Sequence, residues 1–220
     1  MEQISPGFEG LRSPDGRFEV VQSQLSMTSQ LEHIQQLSFP HLSAEELMRA
    51  EHYKSHIEVF PEGQHAIIDR STNQVVACST DFLTDIDFSH YQHRYIDAVA
   101  GNHLSNHNPK GKWLYGADIG VMPGYRGLKL SSMLYRVRHK LIRALHLEGH
   151  VVGAMPKGYG AHIRELSIEQ YLLKTVQGHH FDPVISILIK KGYAPYGIIP
   201  DYLSDESCGN YGVLMLWRPD

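Results

Sequence analysis

The stretch running from Trp113 through a turn into a long helix constrains this chain more than any other. Trp113–Val121 reads as a strand, Met122-Pro123-Gly124-Tyr125 breaks it, and Leu130, Leu134, Val137, Leu141 and Leu145 then recur on one face of a helix. A turn placed directly before a helix leaves the first backbone N–H groups without partners inside the helix. The aligned peptide dipoles add partial positive charge there, so a pyrophosphate can be held without a dedicated side chain. Charge points the same way. Residues 119–147 contain no Asp or Glu, whereas Arg126, Lys129, Arg136, Arg138, Lys140 and Arg143 are cationic, in a chain whose net charge is −4. The segment predicts a site for a small polyanion, with Arg126 and Lys129 in its cradle. The plainer reading of the same residues is an ordinary amphipathic helix behind a turn.

The rest of the chain supplies a sheet for this unit. With 220 residues, 42% of them apolar, it reads as one domain over residues 1–220, large enough to bury a core without staples. Residues 17–21 resemble a first strand, and Met27, Leu31, Ile34 and Leu37 a helix that Pro40 ends. Ser43 with Glu46 three residues on has the form of a capping box and predicts a second helix from there, with Leu47, Ala50 and Ile57 on one side. Residues 65–69 and 75–80 read as a hairpin around a polar connection, with Cys78 packed inside it. Residues 85–112 mix a short helix near Tyr91 with an Asn- and His-rich loop and stay open. His150 to Ala154 reads as a buried strand, Ser167 to Gln170 caps a helix, Asp182-Pro183 starts another, and strands follow at Ala194–Ile199 and over 211–217. The expected class is α/β (α+β): a mixed sheet with helices on both faces.

Several function classes find little support. The two cysteines, Cys78 and Cys208, have no metal or redox spacing, and the N-terminal MEQISPGFEG lacks a basic region followed by an apolar run, so a reducing, cytoplasmic setting is expected. No apolar stretch approaches the ~20 residues of a membrane span. Fifteen histidines include pairs at two-ligand spacing, His52/His56 and His103/His107, but neither shows a third ligand and no HExxH occurs, so no metal is expected. The cationic helix lacks the aromatic interleaving of a nucleic-acid surface, and no nucleic-acid partner is expected.

The loop also carries a resemblance. The GNAT superfamily of acyltransferases has a cofactor loop of Arg or Gln, two residues, Gly, one residue, then Gly or Ala. Here it reads Arg126-Gly127-Leu128-Lys129-Leu130-Ser131, approached by Val121-x-Pro123-x-Tyr125. Lys129 stands where the family has its middle Gly. The likeness extends over residues 17–218 and includes Gly153-Ala154-x-Pro156-x-Gly158-Tyr159, Phe181-Asp182-Pro183, Lys191-Gly192-Tyr193 and Ile199-Pro200-Asp201-Tyr202-Leu203, which resemble the GNAT branch elsewhere fused to a nitrilase-type hydrolase. The resemblance implies a mostly antiparallel sheet with a V-shaped splay between its fourth and fifth strands, near Val121 and Ala154, admitting acetyl-CoA. The implied cofactor residues are Ile119, Gly120, Val121, Arg126, Gly127, Leu128, Lys129, Leu130, Ser131 and Ser132, with backbone N–H groups near Val121 as oxyanion donors.

Acyl transfer to an amine needs a neutral nucleophile, an oxyanion donor and a proton for the departing thiolate. Asp118 is the candidate to take a proton from an ammonium substrate. Many GNAT members place a Tyr where this chain has Leu188, so Tyr159 and Tyr202, both in Gly- or Pro-rich turns, are the candidate acids. The implied activity is transfer of an acetyl group to the primary amine of a small molecule or peptide. The competing reading is a silent acyl-CoA-binding sensor or partner module. The oligomeric state, a homodimer included, is not fixed by the sequence.

Overall fold

A computed structural model describes residues 11–219; the N-terminal segment read above for targeting signals lies outside them. Eight strands form one sheet: β1 (Leu11–Arg12), β2 (Phe18–Gln22), β3 (Gln64–Asp69), β4 (Gln74–Thr84), β5 (Trp113–Val121), β6 (Gly149–Ala154), β7 (Ala194–Ile199) and β8 (Gly212–Trp217). Their order is β1-β2-β3-β4-β5-β6-β8-β7, and every neighbouring pair is antiparallel except β5 with β6. The mixed, mostly antiparallel sheet expected from the sequence is present.

Helices cover both faces. Alternate residues along the strands sort into two sets because successive side chains point to opposite sides. Ala66, Cys78, Tyr115, Val151 and Leu214 share a core with Leu31 and Ile34 of α1 (Thr28–Ser38) and Tyr53 of α2 (Ala50–Val59). Ile67 and Ala77 pack against Leu130, Leu134 and Val137 of a long helix, and Leu114, Val152 and Met215 against Leu141 of the same helix. Four of the five leucine and valine positions predicted to form its apolar face are fully buried, and Leu145 caps its end. Between these lie the one-turn helix α3 (Tyr95–Ala98) and, in chain order, the long helix α4 (Leu130–Ala144), α5 (Ile168–Val176) and α6 (Ile185–Lys190).

The predicted second helix starts late. It begins at Ala50, not Ser43, although Ser43 Oγ does donate to Glu46 Oε2 at 2.6 Å. Glu46 is turned inward, where its carboxylate accepts the Ser204 N–H at 3.0 Å, so a tertiary bond takes the place of a helix cap. The Ser167–Gln170 capping box forms as expected at the start of α5, and Asp182 Oδ1 accepts the Val184 and Ile185 N–H groups ahead of α6.

Candidate active site

The strands read as fourth and fifth in the sequence, ending at Val121 and Ala154, are β5 and β6, and their parallel pairing stops early. It runs from Trp113↔Gly149 to Gly116↔Val152, although β5 continues to Val121 and β6 to Ala154. Among the described residues, from Ala117 onward β5 has a strand neighbour only on its β4 side, so alternate backbone groups on its other edge have no ladder partner there. A cleft enclosing about 730 Å³, its open mouth included, lies at this parting. Its walls include Gly116 to Ile119 of β5, Val152 to Met155 after and along β6, Tyr135 and Arg138 of α4, Leu188 of α6, and Tyr95 and Tyr202.

A bulge decides what faces this cleft. Thr80 pairs with Asp118 and Asp81 with Gly116, so Ala117 is an extra residue in β5. Strict alternation from Tyr115 would place Asp118 on the α4 face. With the bulge it shares the α1/α2 face with Tyr115, and the Tyr53 hydroxyl donates to its Oδ2 at 3.1 Å. Asp118 is 7% exposed, and burial pushes its carboxyl up to about 6, opposed by the Arg138 guanidinium and the Tyr53 and Thr80 hydroxyls. The unpaired edge at Ala117–Ile119, rather than Val121, lines the cleft. Val121 pairs with Ala77, and its carbonyl is near Ser38 Oγ and Arg126 Nε.

Beneath β4 and β5 the charges are paired. Arg138 is 1% exposed; its Nε donates to Asp81 at 2.9 Å and its Nη2 to the Asp118 carbonyl. His150 Nε2 lies 3.2 Å from Asp81 Oδ1 and its Nδ1 2.5 Å from the Tyr193 hydroxyl. Arg138 is therefore removed from the predicted cationic surface: its side chain points into the sheet, where Asp81 neutralises it. Sequence periodicity could have signalled this, since residue 138 follows Val137 and falls four after Leu134, on the edge of the apolar face.

The loop ahead of α4 has the opposite character. Arg126, Gly127, Leu128 and Lys129 are exposed, and the N–H groups of residues 127–131 make no hydrogen bond among the described residues. Lys129, at the family's Gly position, adopts φ +61°, the left-handed conformation that glycine tolerates best. Ser132 Oγ accepts from Lys191 Nζ at 2.7 Å, which brings in a cation that sequence reading missed. Tyr135, on the cleft wall, lies five residues along α4 from Leu130, about 7.5 Å of helix axis.

Of the three predicted catalytic residues, the structure brings Asp118 and Tyr202 to the cleft and leaves Tyr159 away from it. The Tyr159 hydroxyl donates to the Leu166 carbonyl at 3.3 Å, and the ring packs against Tyr171 and Tyr211. Leu188 lines the cleft, where it offers no proton. The histidine pairs serve the fold: His56 Nε2 bonds the Asn102 carbonyl at 2.6 Å, and His107 Nδ1 accepts the Leu83 N–H. Among the described residues no group of three or more potential ligands could hold a metal, and no helix is long and apolar enough to cross a membrane.

A mostly antiparallel sheet with one parallel pair and helices on both faces defines a class of fold. It is shared with a GphF GNAT-like decarboxylase solved in complex with isobutyryl-CoA, at TM-score 0.73 and 17% identity, covering 91% of this chain and 98% of that one. No protein-family model matches the chain. It is, however, 31% identical over 186 residues to the uncharacterized N-acetyltransferase YkwB of Bacillus subtilis (strain 168), covering 84% of this chain and 81% of the relative. The chain belongs to the GNAT superfamily of acyltransferases. It is also 30% identical over 171 residues to the probable hydrolase YhcX of the same organism, of whose length it spans about a third (33%).

Proposed function

We propose that this protein transfers an acetyl group from acetyl-CoA to the primary amine of a small molecule or peptide. The observation that carries this reading is the course of α4. The helix presents unbonded N–H groups beside Arg126 and Lys129 at one end, and Tyr135 and Arg138 at the wall of the cleft a turn or two later. That arrangement fits an anionic head on the helix N-terminus and a thioester arm entering where β5 and β6 part.

Within the cleft, the free edge of β5 at the bulge offers N–H groups to a developing oxyanion. Asp118 is ionised at neutral pH yet holds a proton more readily than an exposed carboxylate, which suits it to take one from an ammonium group. Arg138 and Tyr53 fix its position from either side. Leu188 on the wall favours the second reading, a silent acyl-CoA-binding module, since no phenol stands there.

Release of free thiol from acetyl-CoA across a panel of primary amines separates the two. We expect at least one amine to accelerate release over hydrolysis, and Asp118→Asn to lower that rate by about 10²-fold or more while retaining CoA binding. Binding of CoA without amine-dependent thiol release would establish the silent module.

A further inference from the structure

We propose that His93 is the outlet of a proton relay, Tyr202–Tyr115–His93, that carries a proton out of the reaction cleft. The relay is a continuous chain of side chains. Tyr202 and Tyr115 are each 2% exposed; their hydroxyls lie 3.1 Å apart, and the Tyr115 hydroxyl is 2.8 Å from His93 Nε2. His93 Nδ1 lies 2.7 Å from the Tyr91 carbonyl. One end is in the reaction cleft, where the Tyr202 hydroxyl sits over Gly153 of β6 in the space that any side chain there would fill. The other end is in a second cleft on the far side of Tyr115, lined by His93, Asp85, Asp87 and His90.

The direction of the chain follows from one atom. The Tyr91 carbonyl can only accept, so His93 Nδ1 carries the hydrogen and, in the neutral ring, Nε2 is an acceptor. Tyr115 therefore donates to His93, which leaves its oxygen as the acceptor for Tyr202. The Tyr202 hydrogen points away from the reaction cleft, and a lone pair points toward it. At rest Tyr202 is a proton acceptor toward the cleft, the reverse of the acid role the sequence suggested. Burial holds both phenols protonated and lowers the His93 imidazole, so the neutral chain prevails near pH 7.

The relay's role rests on the acyl-transfer reading; its direction does not. When an ammonium becomes an amide, the N–C bond forms, the C–S bond breaks with its electron pair going to sulfur, and two protons leave nitrogen. One ends on the CoA thiol and one is surplus. Asp118 takes one and passes it to the departing thiolate. The surplus proton enters at Tyr202 as the Tyr202 proton moves to Tyr115 and the Tyr115 proton to His93 Nε2; the imidazolium then turns into the second cleft, releases the Nε2 proton to water and returns with Nδ1–H on the Tyr91 carbonyl, and the two hydroxyls rotate back. The groups facing His93 are Tyr115 from β5, Tyr202 from the loop after β7, Asp97 from α3, and Asp85, Asp87 and His90 across the second cleft.

Two measurements on the full chain test this. In histidine-labelled protein, long-range ¹H–¹⁵N correlation should show His93 as the Nδ1–H tautomer; an Nε2–H tautomer would overturn the relay. In thiol release from acetyl-CoA with phenethylamine, His93→Ala should lower kcat about tenfold or more with KM for acetyl-CoA little changed. Added imidazole, entering the second cleft, should restore most of it. Tyr115→Phe should lower kcat similarly without imidazole rescue. An unchanged rate in His93→Ala, or a loss that imidazole does not relieve, would reduce His93 to a packing residue. A wild type that releases no thiol with any amine of the panel would remove the acyl-transfer reading, while the tautomer would still decide the direction; if another amine of the panel is accepted and phenethylamine is not, the variants are compared with that amine.

Discussion

The two parts of α4 treat one kind of side chain in opposite ways. Ahead of its first turn, Arg126 and Lys129 are exposed and form no ion pair among the described residues, so their charge is available to a ligand. Two turns in, Arg138 is buried and bonded to Asp81 and to two carbonyls, Thr80 and Asp118, so its charge is consumed by the protein. A cation's role here is set by its angle to the sheet rather than by its place in a basic stretch. The loop is therefore built for binding with little cost to folding, and the floor of the cleft for folding with an indirect effect on binding.

The largest expected effect breaks the floor. Removing one partner of a buried ion pair leaves the other charge uncompensated, so Arg138→Met should destabilise the protein by about 3–5 kcal/mol in urea unfolding. A loss near that of an exposed substitution, below about 0.5 kcal/mol, would mean that Asp81 finds another partner and that the contrast with the loop is overstated.

Acid should act on the buried half as well. Burial lowers His56 and His65 to about 4 from an ordinary 6.5. Their contribution is complete above pH 6.5 and is lost as pH falls toward 4, roughly 2 kcal/mol each by pH 5. Asp118 works in the reverse sense: with its carboxyl raised to about 6, its contribution is lost as pH rises from the usual carboxylate range through 6. Acidification from pH 7 to 5 therefore regains about 1 kcal/mol there. The unfolding midpoint should fall overall across that range, and a flat profile would place the histidines in water.

The smallest effect belongs to the loop. Lys129→Gly relieves a left-handed φ and should stabilise by about 1 kcal/mol, while CoA binding weakens through the lost charge. Stronger binding in this variant would show that the side chain obstructs the site.

The same contrast explains what was legible in the sequence. The strand, turn and helix around Val121 show themselves through periodicity and turn chemistry, which are local, and all three are present as read. Asp118 was visible as a polar residue in an apolar strand. Its facing was not, because a one-residue bulge at Ala117 changes which side of the sheet every later residue of β5 takes, and nothing in Gly116-Ala117-Asp118 announces it. Tyr53, Asp81, His150 and Lys191 were missed because each reaches its partner from a distant element. Tyr159 and Tyr202 looked alike in sequence, both beside Gly or Pro; only packing separates a phenol bonded to a nearby carbonyl from one at the cleft wall.

The central claim, that the α4 N-terminus holds the anionic end of an acyl-CoA, is tested most directly by calorimetric titration of CoA into three proteins. Wild type should bind; Lys140→Glu, exposed on α4 beyond its first turns, should bind with nearly the same affinity at physiological salt. Arg126→Glu should fold normally, since an anion near a helix N-terminus is tolerated, yet bind at least about tenfold more weakly because like charges meet at the pyrophosphate. No heat with wild type at millimolar CoA, or equal losses in the two variants, would contradict the account.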